Sequence, residues 1–265
     1  MVPDEAKKRI SDAFIAAFPD TKLQGRYAGD FNDNRKIGLY DGSFGFNTLD
    51  GEANGGVENK VWYFWPRVEE LGRGDFWRSS PMGGETRPEL QDDIFKPSYP
   101  ARTFEHQDFL ESIQKTHSTY ILHGNAFTKD GYSGEELRRA LDGHNRLGYA
   151  FIVSEVHVEG VPETNTVEVR ISVQQEGIAP FYYPLDLVFS CDGTELVARG
   201  VEALIDQGDR DTFRFQNIPA SRQCLQSISV RLSSPMELPG RPIKFAQGNG
   251  YVNLDVSVPL LRRRA

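Results

Sequence analysis

Glu85 and Asp41 are the two acids whose sequence surroundings suit chemistry: Glu85 follows Gly83-Gly84, and Asp41 stands between Tyr40 and Gly42. Two carboxyls facing one cavity are what hydrolysis of a glycosidic bond requires, one as a protonated acid and the other as a nucleophile or base. Glycine beside an acid lets the backbone turn sharply and would present the carboxyl at a cavity mouth. Other polar residues gather near the same places: Arg26, Arg87, His117, Tyr120, His123 and Asn125. Tyr40, Trp62 and Trp65 are aromatics able to stack on a sugar ring. A plainer reading stands beside this one. Acids at loop starts commonly cap helices, and Trp62-Tyr63-Phe64-Trp65 would serve equally as core packing.

Sharper motifs fail. Asp30, Asn32, Asn34 and Asp41 match positions of a calcium loop, but Arg35 occupies the place of its obligatory glycine. No HExxH, GxSxG, P-loop or dinucleotide fingerprint occurs, so neither a metal nor an organic cofactor is expected. The two cysteines, Cys191 and Cys224, lie far apart without a CxxC or histidine-rich neighbourhood. That excludes zinc and redox motifs and leaves two states open, two separate buried thiols as the commoner case and a single disulfide as the alternative.

These residues need elements to position them, and the chain changes character near residue 149. Before it, residues 3–18 place Ile10, Ala13, Phe14 and Ala17 on one helical face. Thr103 is expected to cap a second helix carrying His106, Phe109, Leu110 and Ile113. Ser133 and Glu136 form a capping box for a third, with Leu137, Ala140 and Leu141 turned inward. Extended stretches at 23–29, 37–41, 79–83 and 118–123 alternate with these helices, which predicts parallel strands in an α/β layout. Chemistry in such layouts collects where strands end. After residue 149 the period becomes two: Val167, Val169, Ile171 and Val173 alternate with Glu168, Arg170, Ser172 and Gln174. Similar runs recur at 185–191, 212–216, 227–232 and 252–258, predicting an antiparallel β-sandwich.

Several segments together resemble one family. Gly83-Gly84-Glu85-Thr86, Thr116-His117-Ser118-Thr119-Tyr120, Arg146-Leu147-Gly148-Tyr149-Ala150-Phe151 and Glu176-Gly177-Ile178-Ala179-Pro180-Phe181-Tyr182-Tyr183 occur in that order. The series resembles the family catalogued as domain of unknown function 4832, from about Leu23 onward. The resemblance implies a glycosidase-like protein: the C-terminal half of a (β/α)8 barrel over residues 1–149, then an immunoglobulin-like sandwich over 150–265. It places Glu85 after the seventh barrel strand as nucleophile or base, Asp41 after the preceding strand, and Arg26 on the strand before that. His117 and Asn125 fall around the eighth. Arg87 stands where many members carry cysteine, and Tyr40 where asparagine is usual. Glu85 and Asp41 are thus the catalytic candidates; Arg26, Tyr40, Trp62, Arg87, His117 and Asn125 are the substrate-binding ones.

The whole chain sets bounds on partners. Its 265 residues carry 30 Lys+Arg against 38 Asp+Glu, a formal charge of −8 that repels a phosphate backbone, so nucleic acid is not an expected partner. Arg262-Arg263-Arg264 is too short a basic run to reverse that. No apolar run approaches the ~20 residues that span a bilayer, so no integral membrane segment is expected. Residues 1–10 lack the apolar core of a secretory signal, which leaves the compartment open; an extracellular or periplasmic site requires an exported precursor. Carbohydrate is the expected partner, and a non-catalytic glycan-binding or protein-interaction module is the alternative to a hydrolase. A complete barrel typically needs ~250 residues. The shortfall implies a fragment, or a half-barrel completed by its missing N-terminal half in the same chain or another.

Overall fold

The computed structural model describes residues 3–26, 37–49, 63–103, 105–124, 131–247 and 252–253. The chain divides into two compact units, Met1–Gly148 with Ile178–Pro180, and Tyr149–Gly177 with Phe181–Ala265.

In the first unit, Leu23–Gly25 (β1), Ile37–Phe44 (β2), Met82–Thr86 (β3) and Ser118–Leu122 (β4) form one sheet in chain order. Every pairing is parallel. The expected alternation with helices is present: Asp4–Ala17 (α1) precedes β1, Phe64–Glu70 (α2) precedes β3, Phe109–Thr116 (α3) precedes β4, and Gly134–His144 (α4) follows it. Phe44, Leu90, Ile94, Phe95, Phe109, Ile113, Ile121, Ala140 and Ile178 make this unit's core.

The helix expectations need three corrections. Asp108, not Thr103, caps α3, its side chain accepting from the Glu111 backbone N–H. Thr103 instead bonds back to the Pro100 carbonyl and bridges His106, so His106 lies outside the helix and Leu110 is exposed. Ser133 occupies the N-cap of α4 but makes no side-chain cap bond; Ala140 and Gly143 are buried there while Leu141 is exposed. Third, α1 forms with its first-turn acids Asp4 and Glu5, yet none of its residues is buried; Ile10 and Phe14 are 54% and 52% exposed.

In the second unit, Phe151–Gly160 (β5), Thr166–Gln175 (β6) and Arg210–Pro219 (β9) form an antiparallel sheet in the order β5-β6-β9. Asp186–Cys191 (β7), Thr194–Arg199 (β8), Ser229–Ser233 (β10) and Val252–Asn253 (β11) form a second, in the order β11-β10-β7-β8. Period-two alternation explains both: Val167, Val169, Ile171 and Val173 are buried, and the polar residues between them are the more exposed set. Both sheets contribute to one hydrophobic cluster, in which the Phe189 and Phe215 rings stack at 4.9 Å.

Of the two states left open for the cysteines, the bridge is the one formed, and not the commoner pair of thiols. Cys191, at the end of β7, is bridged to Cys224 in the short helix Arg222–Gln226 (α5), with a Cα–Cα distance of 5.0 Å. Their separation of 33 residues carries no signal of pairing; the fold brings them together.

Candidate functional site

Strand parity sorts the first unit's polar residues. In the parallel register Gln24 stands beside Gly38, Tyr40 beside Gly83, Gly83 beside Tyr120, and Glu85 beside Leu122. Neighbouring residues in register share a face, and residues two apart on a strand do too. Gln24, Tyr40, Glu85, Tyr120 and Leu122 therefore belong to one face, and Asp41, which pairs with Gly84, belongs to the other.

On the first face Tyr40 and Glu85 meet. The Tyr40 hydroxyl donates to Glu85 Oε2 at 3.0 Å. Burial pushes that hydroxyl up to about 12, helped by the hydrogen bond to Glu85 and by its charge. Tyr40 thus stays protonated at neutral pH and remains a donor to the carboxyl. Tyr120 donates to Gln24 Oε1, and the Gln24 amide donates in turn to the backbone carbonyls of Pro81, at 3.0 Å, and Leu39, at 3.3 Å. Arg26 closes the group: its guanidinium lies where a Cβ on Gly42 would meet Nε at 3.0 Å, and its charge acts on Tyr40.

The glycines of this region do not make turns. Gly83 and Gly84 lie inside β3, where a Cβ on Gly84 would come within 2.4 Å of the Asp41 carbonyl oxygen. A Cβ on Gly83 would reach the Tyr120 ring at 2.5 Å. Close approach, not a sharp bend, is what requires glycine there.

Asp41 and Glu85 are not brought together. Strand β2 runs on to Phe44, so Asp41 is internal to it, only 4% exposed, on the face it shares with Leu39. One of its oxygens accepts from the Ser43 N–H at 2.9 Å, the other from the Thr48 hydroxyl at 2.6 Å. Thr48 Oγ in turn accepts from the Gly45 N–H, and Gln107 Oε1 accepts from the N–H groups of Thr48 and Leu49. Burial pushes the Asp41 carboxyl up to about 6 against the pull of its hydrogen bonds from Thr48 and Ser43. Two carboxyls on opposite faces of a sheet cannot flank one glycosidic bond. Asp41 braces a loop.

The other candidates scatter. His117 sits between α3 and β4, at the start of the strand and not at its end. It has φ of 48°, stacks on Trp77 with centroids 3.6 Å apart, and donates from Nδ1 to the Ile178 carbonyl at 2.8 Å. Arg87 follows β3, lies 3.7 Å above the Phe46 ring and pairs with Glu89. Trp65 is buried, its indole N–H donating to Glu69, so it is no sugar platform. Trp62 and Asn125 lie outside the described residues. His123 turns toward Thr86, Gln91 and Tyr132, and burial pulls it down to about 4. Gln24 is the residue that sequence reasoning missed, and Tyr120 was noted among the polar residues near the acids without being nominated for the site. Carrying the two-residue parity from Glu85 and Tyr40 across the neighbouring strands would have found both.

Among the described residues, no group of three His, Cys, Asp or Glu side chains is placed to hold a metal ion, and no helix is long and apolar enough to cross a membrane. No family model matches the chain, and no curated protein matches it.

Proposed function

We propose that this protein is glycoside-hydrolase-like and acts on carbohydrate through Glu85, with Tyr40 as the donor that orients it. The observation that carries the reading is the Tyr40–Glu85 hydrogen bond on adjacent parallel strands. A hydroxyl that stays protonated across the neutral range goes on donating to the carboxyl it bonds and so holds its orientation, which a nucleophile or base needs. The half-barrel assignment draws support from strand order. Doubly wound sheets reverse their strand order at a switch point, whereas barrel strands follow one another in sequence, as β1 to β4 do here. The sandwich assignment draws support from the single apolar cluster shared by two antiparallel sheets. A companion half-barrel would give the polar face its second wall and the second carboxyl that Asp41 does not supply.

The test is a screen of 4-nitrophenyl pyranosides and common polysaccharides, followed by two variants. Glu85→Gln is expected to lower turnover by roughly 10²–10⁴-fold while leaving the melting temperature in place. Tyr40→Phe is expected to lower kcat more than it raises KM. Full turnover in Glu85→Gln would end the catalytic reading.

The position of Asp41 favours one second reading, a glycan-binding module without chemistry. Under it, the screen yields no products, yet a responsive glycan still binds Glu85→Gln.

A further inference from the structure

We infer that Tyr120 is the stacking platform of this site, the residue on which the apolar face of a pyranose ring rests; this builds on the carbohydrate reading above. The argument starts at Gly83. A Cβ built there would lie 2.5, 2.7 and 2.8 Å from Cε1, Cζ and Cδ1 of Tyr120. Three neighbouring ring atoms at near-equal distances mean that the approach is to the ring's face; an edge-on approach would leave the outer two much farther than the middle one. The ring therefore lies across the sheet, one face against the Gly83 α-carbon and the other turned away from the strand.

Two bonded groups fix it there. Its hydroxyl is held by Gln24, itself anchored on the Leu39 and Pro81 carbonyls, so the ring cannot swing up without breaking that chain. Burial raises the hydroxyl's titration, keeping it a donor to Gln24. The ring is only partly buried, and its hydroxyl is close enough to Tyr40 for each phenol to hinder the other's ionisation. Platform, acid and donor thus share one face: Tyr120 on β4, Glu85 on β3, Tyr40 on β2. A fixed aromatic plane loses little conformational entropy when a flat apolar partner covers it. A pyranose presents such a partner in its axial C–H face, and its hydroxyls can then reach polar groups to the side. Of the rings the sequence offers for stacking, Trp65 is buried with its indole N–H on Glu69, Tyr40 is the donor to Glu85, and Trp62 lies outside the described residues.

The experiment titrates the full chain with methyl α- and β-pyranosides of glucose, galactose, mannose and xylose, followed by ligand NMR. The wild type is expected to shift the axial C–H protons of at least one of them upfield, the signature of a ring stacked beneath them. Tyr120→Phe keeps the ring but releases it from Gln24, and is expected to keep the upfield shift while weakening binding by only about two- to fivefold. Tyr120→Leu should abolish the shift and weaken binding by roughly tenfold. Gly83→Ala, which pushes the ring off its seat, should also lose the shift. Unaltered binding in Tyr120→Leu, alongside a loss in Tyr40→Phe, would overturn the platform but leave the carbohydrate site standing. Should Tyr120→Leu fail to fold, a pyranoside that binds the wild type with no upfield shift of its axial C–H protons would overturn it instead, because the bound sugar would then not lie over the ring. Absence of binding by the wild type to every pyranoside would remove the carbohydrate reading and the platform with it.

Discussion

Among the described residues burial outweighs every partner of the Asp41 carboxyl, which is an unusual way to hold a loop, and Asp41 shows what it costs. Its carboxyl titrates near 6 in the fold against an ordinary value of 3.8. A value raised on folding contributes stability that is complete below 3.8 and is lost as pH rises through 6. His123 acts in the opposite sense. Lowered from 6.5 to about 4, it contributes stability above 6.5 that is lost as pH falls through 4, and His144 is shifted in the same direction. The two effects oppose each other between pH 7 and 4. Asp41→Asn removes only the first, so the melting temperature of the variant relative to wild type should be higher at pH 7 than at pH 4, a swing of roughly 2–3 kcal/mol. A difference that does not vary with pH would show that Asp41 does not titrate in this window. Glu85 was legible in the sequence because it falls near the end of β3, and Tyr40 because it is an aromatic beside an acid, although β2 makes it internal. Asp41 was misplaced because β2 runs three residues beyond the expected Asp41, which turns an expected loop acid into an internal, inward-facing one.

Among the described elements, alternation and apolar spacing were enough to locate β1, β2 and β4 and the helices α1, α3 and α4, while the strand expected at 79–83 starts three residues later and runs Met82–Thr86. Helix starts were harder. Thr103 and Asp108 both precede the apolar stripe, and either could cap it by type; what decides is that the Thr103 hydroxyl is spent on Pro100 while Asp108 reaches the Glu111 N–H. Because α3 sets Phe109 and Ile113 into the core directly ahead of β4, its cap matters to the strand that carries Tyr120. Asp108→Ala should cost about 1 kcal/mol in a urea titration, and Asp108→Asn much less. An equal loss in both variants would assign the effect to charge at the helix terminus and not to the cap bond.

For the whole molecule, the switch in period near residue 149 marked a change of architecture, but the covalent and connective details were not written in local pattern. Cys191 and Cys224 close a 33-residue loop in the second unit, and such loops stabilise by about 3–4 kcal/mol in the chain-entropy account. The double variant Cys191→Ala/Cys224→Ala should lose stability of that order in chemical unfolding followed by tyrosine fluorescence from the second unit, where no tryptophan lies. No loss would mean that packing alone holds this region. A bridge of this kind belongs in an oxidising compartment.

Ile178–Pro180 carries a consequence for how the protein is made. Ile178 fills the first unit's core, its carbonyl receives the His117 bond, and the Ala179 N–H reaches the Gly148 carbonyl. Translation delivers these three residues roughly 30 positions after Gly148, a delay of a few seconds at about 5–20 residues per second. Until they leave the ribosome, the amino-terminal unit lacks a piece of its own interior, so it cannot complete folding ahead of the β-strands that follow it. The half of the chain synthesised first must wait for the second half to begin.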